Sequence, residues 1–472
     1  AMAAAAAAAT APGCVEGLCG FRALDPWFGK LARATRAEGR RPLHILQIGD
    51  SHTAGDTITG PWRDILQRRY GSGGRGVLPP GKPWRGYFAR GMTTEMSDGW
   101  SLAATFGPGS AEPRPPLGVS GFSLTSQRAG ARIALTADAG AMFDRVVVCA
   151  IARPRAGTLR ITIGEVSARM HLDSAIQRLE CRTLTAPRPQ FTVEVTAEDD
   201  DPVTITSWAT FRDAGGVAVS NLGVSGAQLV HFTRTDDSVV AEELRVYKPD
   251  LIVVAFGTNE GFAPVFRPSE YEVLLRTQIG RLRRLSGGTP ILLIGAPDAS
   301  SRRAAMLHNA PGPTPPSCPE PAGVAPPPAP APPQPPAPDS RSPIDEVMAD
   351  LRGSEGDAAS PTSAPVPAAS PASSAPAAPS TRWAVRAVEP LFPPAGLASV
   401  REVQRRVAAS LGVAFWDWNA RMGGACSAVR WTKADPPLMR GDYVHFTSAG
   451  GQILGERLEN DMTRAAQIEA RR

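Results

Sequence analysis

The chain holds only six histidines, and one of them, His445, stands three residues after an aspartate in the run Asp442-Tyr443-Val444-His445. A carboxylate at that spacing can hold an imidazole in one tautomer, leaving the far nitrogen to take a proton from a nucleophile. Taken alone, Asp442 is explained as cheaply by an N-terminal helix cap. A nucleophile for this pair is Ser51, in Gly49-Asp50-Ser51-His52-Thr53, directly after the apolar run His44 to Ile48. A serine just past the carboxyl end of a buried strand sits where open α/β sheets place their ligand crevices. The plain alternative is that Asp50 and Ser51 cap the helix that follows. The run Leu251 to Phe256 leads in the same way into Gly257-Thr258-Asn259-Glu260. The Asn259 amide can donate a hydrogen bond to an oxyanion developing at that sheet edge, although asparagine also closes strands as an ordinary turn residue. Ser51, Asp442, His445 and Asn259 are together the parts of an acyl-transfer site.

Elements able to position these residues are legible around them. The runs His44 to Ile48, Leu251 to Phe256, Ile291 to Ile294 and Val413 to Trp416 read as buried strands of a parallel sheet. Helical periodicity appears at Leu275, Ile279 and Leu282, from Val400 to Leu411, and from about Ser448 to Ile468. Alternating strands and helices predict a doubly wound α/β domain. From about Tyr87 to Ser220 the alternation breaks. Short β-type segments at Ala131 to Leu135, Arg145 to Ala150, Leu159 to Ile163 and Phe191 to Val195 predict an inserted β-sandwich or jelly roll, with the next α/β strand near Val217. From about Ala310 to Ser380, Pro, Ala and Ser crowd out large apolar side chains. Such a stretch cannot bury enough surface to fold, and it predicts a disordered or polyproline-like loop with one short helical turn around Ile344 to Leu351. The expected organisation is an Ala-rich leader (1–20), an α/β domain in three pieces (21–86, 217–309 and 381–472), the β insert (87–216) and the Pro/Ala/Ser-rich loop (310–380).

Composition narrows the function classes. At 472 residues the chain exceeds the roughly 250 to 300 at which single cores stop growing, so more than one globular unit is expected. Apolar residues make up 42% and charged residues 20%, as in ordinary globular proteins. The 50 Lys and Arg against 45 Asp and Glu leave a net charge of +5 with no dense basic tract beyond clusters such as Arg281, Arg283 and Arg284. No nucleic-acid reader motif is present, and none is expected to bind. No apolar run reaches the length of about 20 residues that a membrane span requires. The Ala-rich opening lacks the positive flank and bulky apolar segment of an intact signal peptide. The six cysteines are too sparse for a disulfide scaffold and lack paired zinc spacing. Cys14 with Cys19, and Cys149 with Cys181, are close enough in sequence to pair in an oxidising compartment, and buried free thiols are an equally good reading. No metal or organic cofactor is expected, because the His and carboxylate residues that can be placed are occupied by the triad.

Four blocks in this order, Gly49-Asp50-Ser51-His52, Asn221-Leu222-Gly223-Val224-Ser225-Gly226, Gly257-Thr258-Asn259-Glu260 and Asp442-Tyr443-Val444-His445, resemble those of the SGNH (GDSL-like) hydrolase family. The resemblance covers the α/β parts, about half of the chain. It implies that Ser51 attacks, that His445 acts as general base and then acid, and that Asp442 orients His445. It also implies that the oxyanion is bound by the Ser51 backbone N–H, Gly226 and Asn259. Gly223 and Gly226 could both bring a backbone N–H close to substrate, and Gly226 is chosen because it ends the loop. Two positions depart from the commoner family pattern: His52 where Leu is frequent, and Glu260 where Asp often follows the Asn. His52 adjoins the nucleophile and is assigned a supporting role rather than that of the base.

Within the family, Gly-Asp-Ser-His-Thr, Gly-Thr-Asn-Glu and Asp-x-Val-His-Phe-Thr, with a β-rich insertion before the second block, look like the bacterial peptidoglycan O-acetylesterases. That resemblance implies a carbohydrate-binding-module-like insertion and removal of acetyl from the muramoyl 6-hydroxyl through an acyl-enzyme. It also implies an O-acetylated glycan as partner and the periplasm or cell envelope as compartment. The alternatives are an acetylesterase for another polysaccharide, an O-acetyltransferase, and a catalytically silent glycan-binding scaffold.

Overall fold

The computed structural model describes residues 13–34, 36–37, 39–302, 317–319 and 390–471. The expected loop over 310–380, with its helical turn at 344–351, lies outside the described residues except for 317–319, as does the part of the expected leader before residue 13.

Five strands form the parallel heart of a seven-stranded sheet: Leu43–Gly49, Val217–Gly223, Leu251–Ala255, Ile291–Ile294 and Ala414–Trp416. Each is a short apolar run because both faces of the sheet are covered. The pleat sends alternate residues to opposite sides. Ile252 and Val254 join Val240, Leu244, Ile279 and Val403 in one cluster, under the helices Asp237–Tyr247, Pro268–Leu285 and Leu397–Leu411. Leu251 and Val253 meet Trp27, Trp62, Leu66 and Leu458 in the other, under Asp25–Ala32, Thr59–Tyr70 and Ser448–Glu469. The expected strands and helices are thus present, and the sheet is doubly wound.

Strand order across the sheet decides where a ligand can bind. Leu43–Gly49 lies between Val217–Gly223 on one side and Leu251–Ala255 on the other, in parallel register with both. Chain order reverses at that strand, which makes it the switch point where connections leave in opposite directions and a crevice opens outside the carboxyl ends. Ser51, Gly226 and Asn259 follow those three strands. The far edge is finished by the antiparallel hairpin Cys14–Val15 and Leu18–Cys19, closed by a Cys14–Cys19 disulfide and paired to Ala414–Trp416. The leader expected over 1–20 is corrected at this end: Leu18 is fully buried, and its hydrophobic burial ties residues 14–19 into the sheet.

The expected insert contains two antiparallel sheets. One joins Val166–His171, Thr158–Ile163, Thr192–Ala197, Arg132–Ala137 and Met92–Met96; the other joins Arg178–Gln190, Phe143–Ala152, Val203–Phe211, Phe122–Ser126 and Trp100–Ala104. Gly76–Leu78, from the first α/β piece, also pairs with Val203–Phe211. Their facing side chains share a core that includes Val148, Ile161, Val195 and Ile205. The strand Phe143–Ala152 is apolar on both faces for a physical reason. Val146, Val148 and Ala150 point into that core, while Val147, Cys149 and Ile151 pack against the Asp237–Tyr247 helix. From that helix the buried Glu243 accepts hydrogen bonds from Val119 N, Thr206 Oγ1 and Ser207 Oγ. The antiparallel region is therefore bonded to the α/β sheet's own helix layer.

Candidate active site

The turn that carries Ser51 follows from its sequence. Gly49 ends the first parallel strand, and Asp50 caps the short helix Ser51–Ala54 by accepting the His52 backbone N–H at 3.0 Å. The capping alternative therefore holds for Asp50. It leaves Ser51 as the first helical residue, with its own N–H outside the helix's internal hydrogen bonds. Ser51 Oγ lies 3.0 Å from His445 Nε2. His445 Nδ1 donates to Asp442 Oδ2 at 2.7 Å, and Asp442 Oδ1 accepts the backbone N–H groups of Val444 and His445 at 2.9 and 3.0 Å. Burial works against the Asp442 carboxylate, but the His445 ring and these backbone donors outweigh it and hold its carboxyl well below the usual carboxylate range. An ionised Asp442 fixes the proton on Nδ1 and leaves Nε2 to accept from Ser51 Oγ–H. Residues almost 400 positions apart in sequence meet here because the turn after Leu43–Gly49 and the turn before Ser448–Glu469 share one edge of the sheet.

Gly226 and Asn259 face the same edge. Val224 N donates to Gly49 O at 3.0 Å, which draws the 224–227 turn against the strand that leads into Ser51. Gly223 is the point of closest approach, since a β-carbon there would stand 2.1 Å from Ala54 N and 2.5 Å from Asp50 O. Its side-chain freedom is spent on packing. Gly226, with φ of 76°, turns the loop and requires glycine on backbone grounds. Among the described residues the Gly226 N–H donates to no protein acceptor. Asn259 Nδ2 donates one hydrogen to Ala227 O at 2.9 Å. A primary amide has a second N–H, and among the described residues it donates to no protein acceptor.

His52 lies beside the hydrogen-bonded Ser51, His445 and Asp442 and is not one of them. Its Nδ1 lies 3.3 Å from Asp50 Oδ1 and its Nε2 3.0 Å from the Val444 carbonyl, so both ring nitrogens face acceptors. Burial opposes the charged ring, but the Asp50 carboxylate, the Val444 carbonyl and the Asp442 charge prevail and raise its pKa. His52 thereby ties the nucleophile turn to the backbone of the His445 loop. Glu260, the other departure from the common pattern, is buried with Oε1 accepting Leu229 N–H at 2.6 Å. Burial pushes its carboxyl up to about 7.

Sequence reasoning missed how the loop after Gly226 is held. Gln228 and His231 are bonded reciprocally: His231 N donates to the Gln228 carbonyl at 3.0 Å, and Gln228 N donates to His231 Nδ1 at 2.9 Å. Gln228 Nε2 then reaches Asn259 O at 3.1 Å. Gln-x-x-His does not have the residue types of a capping box, so no local signal announced it. Phe106, whose ring lies over Gly226, comes from the antiparallel region and carried no signal at all.

A doubly wound sheet with a hydrogen-bonded serine, histidine and aspartate at its switch point is the framework of a serine acyl hydrolase. The chain belongs to the GDSL-like Lipase/Acylhydrolase family, whose model matches residues 195–453, and this makes it a carboxylic ester hydrolase by class. Among solved structures it is similar to one described as a peptidoglycan O-acetylesterase in action, at 22% identity and a TM-score of 0.63, over 94% of this chain and 96% of that one. At that identity the likeness shows a shared fold. Looser likenesses include a salicylyl-acyltransferase from a tetracycline biosynthetic pathway (13% identity, TM-score 0.29, 82% of this chain and 96% of that one). Another is a family two carbohydrate esterase from Clostridium thermocellum (10% identity, TM-score 0.24, 78% and 98%). No curated protein sequence matches the chain.

Proposed function

We propose that this chain is a serine esterase that removes O-acetyl groups from peptidoglycan, at the muramoyl 6-hydroxyl, through an acyl-enzyme on Ser51. The observation that carries the reading is the relay from Ser51 Oγ to His445 Nε2 at 3.0 Å and from His445 Nδ1 to Asp442 at 2.7 Å. As Ser51 Oγ attacks the acetyl carbonyl, its proton passes to His445 Nε2, and Asp442 stabilises the imidazolium. The carbonyl oxygen, now an oxyanion, accepts from the Ser51 N–H, the Gly226 N–H and the second Asn259 Nδ2–H. Collapse breaks the bond to the sugar oxygen, which takes the proton from His445. Water then enters by the same route and releases acetate.

Support for a peptidoglycan substrate comes from the motif resemblance and from the full-length fold likeness to a protein described as a peptidoglycan O-acetylesterase. All six cysteines are paired, Cys14–Cys19, Cys149–Cys181 and Cys318–Cys426, which favours an oxidising compartment such as the periplasm or cell envelope. No helix among the described residues is long and apolar enough to cross a membrane. The test is acetate release by the wild type and by Ser51→Ala from O-acetylated peptidoglycan and from acetylated xylan. Release mainly from peptidoglycan that vanishes with Ser51 is the expected result. A preference for xylan keeps the mechanism and overturns the substrate. No release from either returns the acetyltransferase and the silent glycan binder.

A further inference from the structure

Beside the oxyanion loop lies an aromatic pair that no step of the proposed reaction uses. Phe106, just after the strand Trp100–Ala104, sets its ring against His231, with centroids 4.3 Å apart and planes inclined by 31°. The same ring covers Gly226: a β-carbon there would stand 2.8 Å from Phe106 Cε1. Both rings are only partly buried.

The pair is held from several sides. Arg234 Nη1 donates to Thr105 O at 2.8 Å, Arg114 Nη2 to Arg234 O at 3.0 Å, and Asp236 N to Leu117 O at 2.8 Å. These bonds fasten the Phe106 segment to the chain that follows His231. On the other side, the bonds from His231 N to the Gln228 carbonyl and from Gln228 N to His231 Nδ1, with the bond from Gln228 Nε2 to Asn259 O, tie His231 to the Asn259 backbone. Since His231 Nδ1 accepts from Gln228 N, the ring proton sits on Nε2. Burial, and then the charge of Arg234, lower its pKa to about 4, so the ring is neutral near pH 7. Among the described residues the Nε2–H donates to no protein acceptor.

A partly exposed aromatic face beside a fixed N–H donor suits a pyranose, which has an apolar C–H face and a rim of oxygen acceptors. We infer that Phe106 and His231 form a sugar subsite against the oxyanion loop. The pyranose adjoining the scissile ester lays its C–H face on Phe106 and accepts a hydrogen bond from His231 Nε2–H. This inference rests on the O-acetyl glycan reading. It assigns the antiparallel region a share in the catalytic crevice through Phe106.

The test compares two substrates in the same preparations: acetate release from O-acetylated peptidoglycan, and p-nitrophenyl acetate, which carries no sugar. Phe106→Leu keeps apolar volume and removes the aromatic face. His231→Asn keeps an acceptor for Gln228 N–H and withdraws the Nε2–H. In each variant the ratio of the glycan rate to the p-nitrophenyl acetate rate is expected to fall about tenfold, the scale of a lost stacking or hydrogen-bond contact. An unchanged ratio overturns the subsite, whether both rates hold or both drop together through damage to the loop. Wild-type turnover of p-nitrophenyl acetate with none of the glycan overturns the substrate reading and the subsite with it. Ser51-independent turnover of both substrates overturns the esterase reading itself.

Discussion

At the scale of single residues, the site is set by which side chains are charged. Asp442 is held ionised by the His445 ring and two backbone donors, and an amide in its place would favour the wrong imidazole tautomer. Asp442→Asn should lower kcat for p-nitrophenyl acetate on the order of a thousandfold; a loss of under tenfold would remove Asp442 from the catalytic set. His52 makes a different prediction. Its pKa is raised above the ordinary 6.5, burial being outweighed by Asp50 and the Val444 carbonyl. Folding therefore favours the protonated ring, and the stability this supplies is full below pH 6.5 and is lost as pH rises through the folded-state value. The unfolding free energy of wild type minus that of His52→Gln, measured in urea from pH 6 to 9, should shrink with rising pH. A gap that stays constant would mean a neutral His52.

Glu260 acts at the scale of elements, where it joins the turn after Leu251–Ala255 to the helix start at Leu229. Oε1 is bonded, while among the described residues the buried Oε2 has no partner. Burial raises the carboxyl from 4.5 to about 7, so the folded state holds a proton that the unfolded chain releases. This contribution weakens the fold as pH climbs from 4.5 to about 7. Glu260→Gln keeps the acceptor for Leu229 and removes the ionisation. It should gain stability relative to wild type over that interval, by on the order of 3 kcal/mol at most. A urea-unfolding difference that does not change with pH would contradict it. The elements themselves were largely legible: the runs at Leu251 to Phe256 and Ile291 to Ile294 are buried strands because apolar residues without polar alternation suit only a sheet covered on both faces. The hairpin Cys14–Val15 and Leu18–Cys19 was not legible, since its two-residue strands are too short to show any period and exist by pairing with Ala414–Trp416.

The whole molecule is joined by contacts between distant parts of the chain. Cys318 and Cys426, 108 residues apart, are bridged, and Cys318 N donates to Leu391 O at 2.7 Å. Val429 and Tyr443 pack in the same small cluster, next to the Asp442–His445 turn. The double variant Cys318→Ser/Cys426→Ser should lower the thermal unfolding midpoint, with about 5 kcal/mol lost on the loop-closure model; an unmoved midpoint would show that the bridge constrains nothing the fold needs. At this scale the division between sequence and tertiary structure is clear. By itself the sequence marked the sheet's strands and singled out Ser51, His445, Asp442 and Asn259 as candidates for the site, because each stands in a local pattern: a strand end, a three-residue spacing, a glycine-rich turn. Only the tertiary structure decided that Leu43–Gly49 is the switch point, that Gly223 is consumed by close packing against Ala54 while Gly226 turns the loop, and that Phe106 lies over that loop. Those facts depend on which chain segments are neighbours in space, and neighbours brought together across more than a hundred residues leave no local pattern to read.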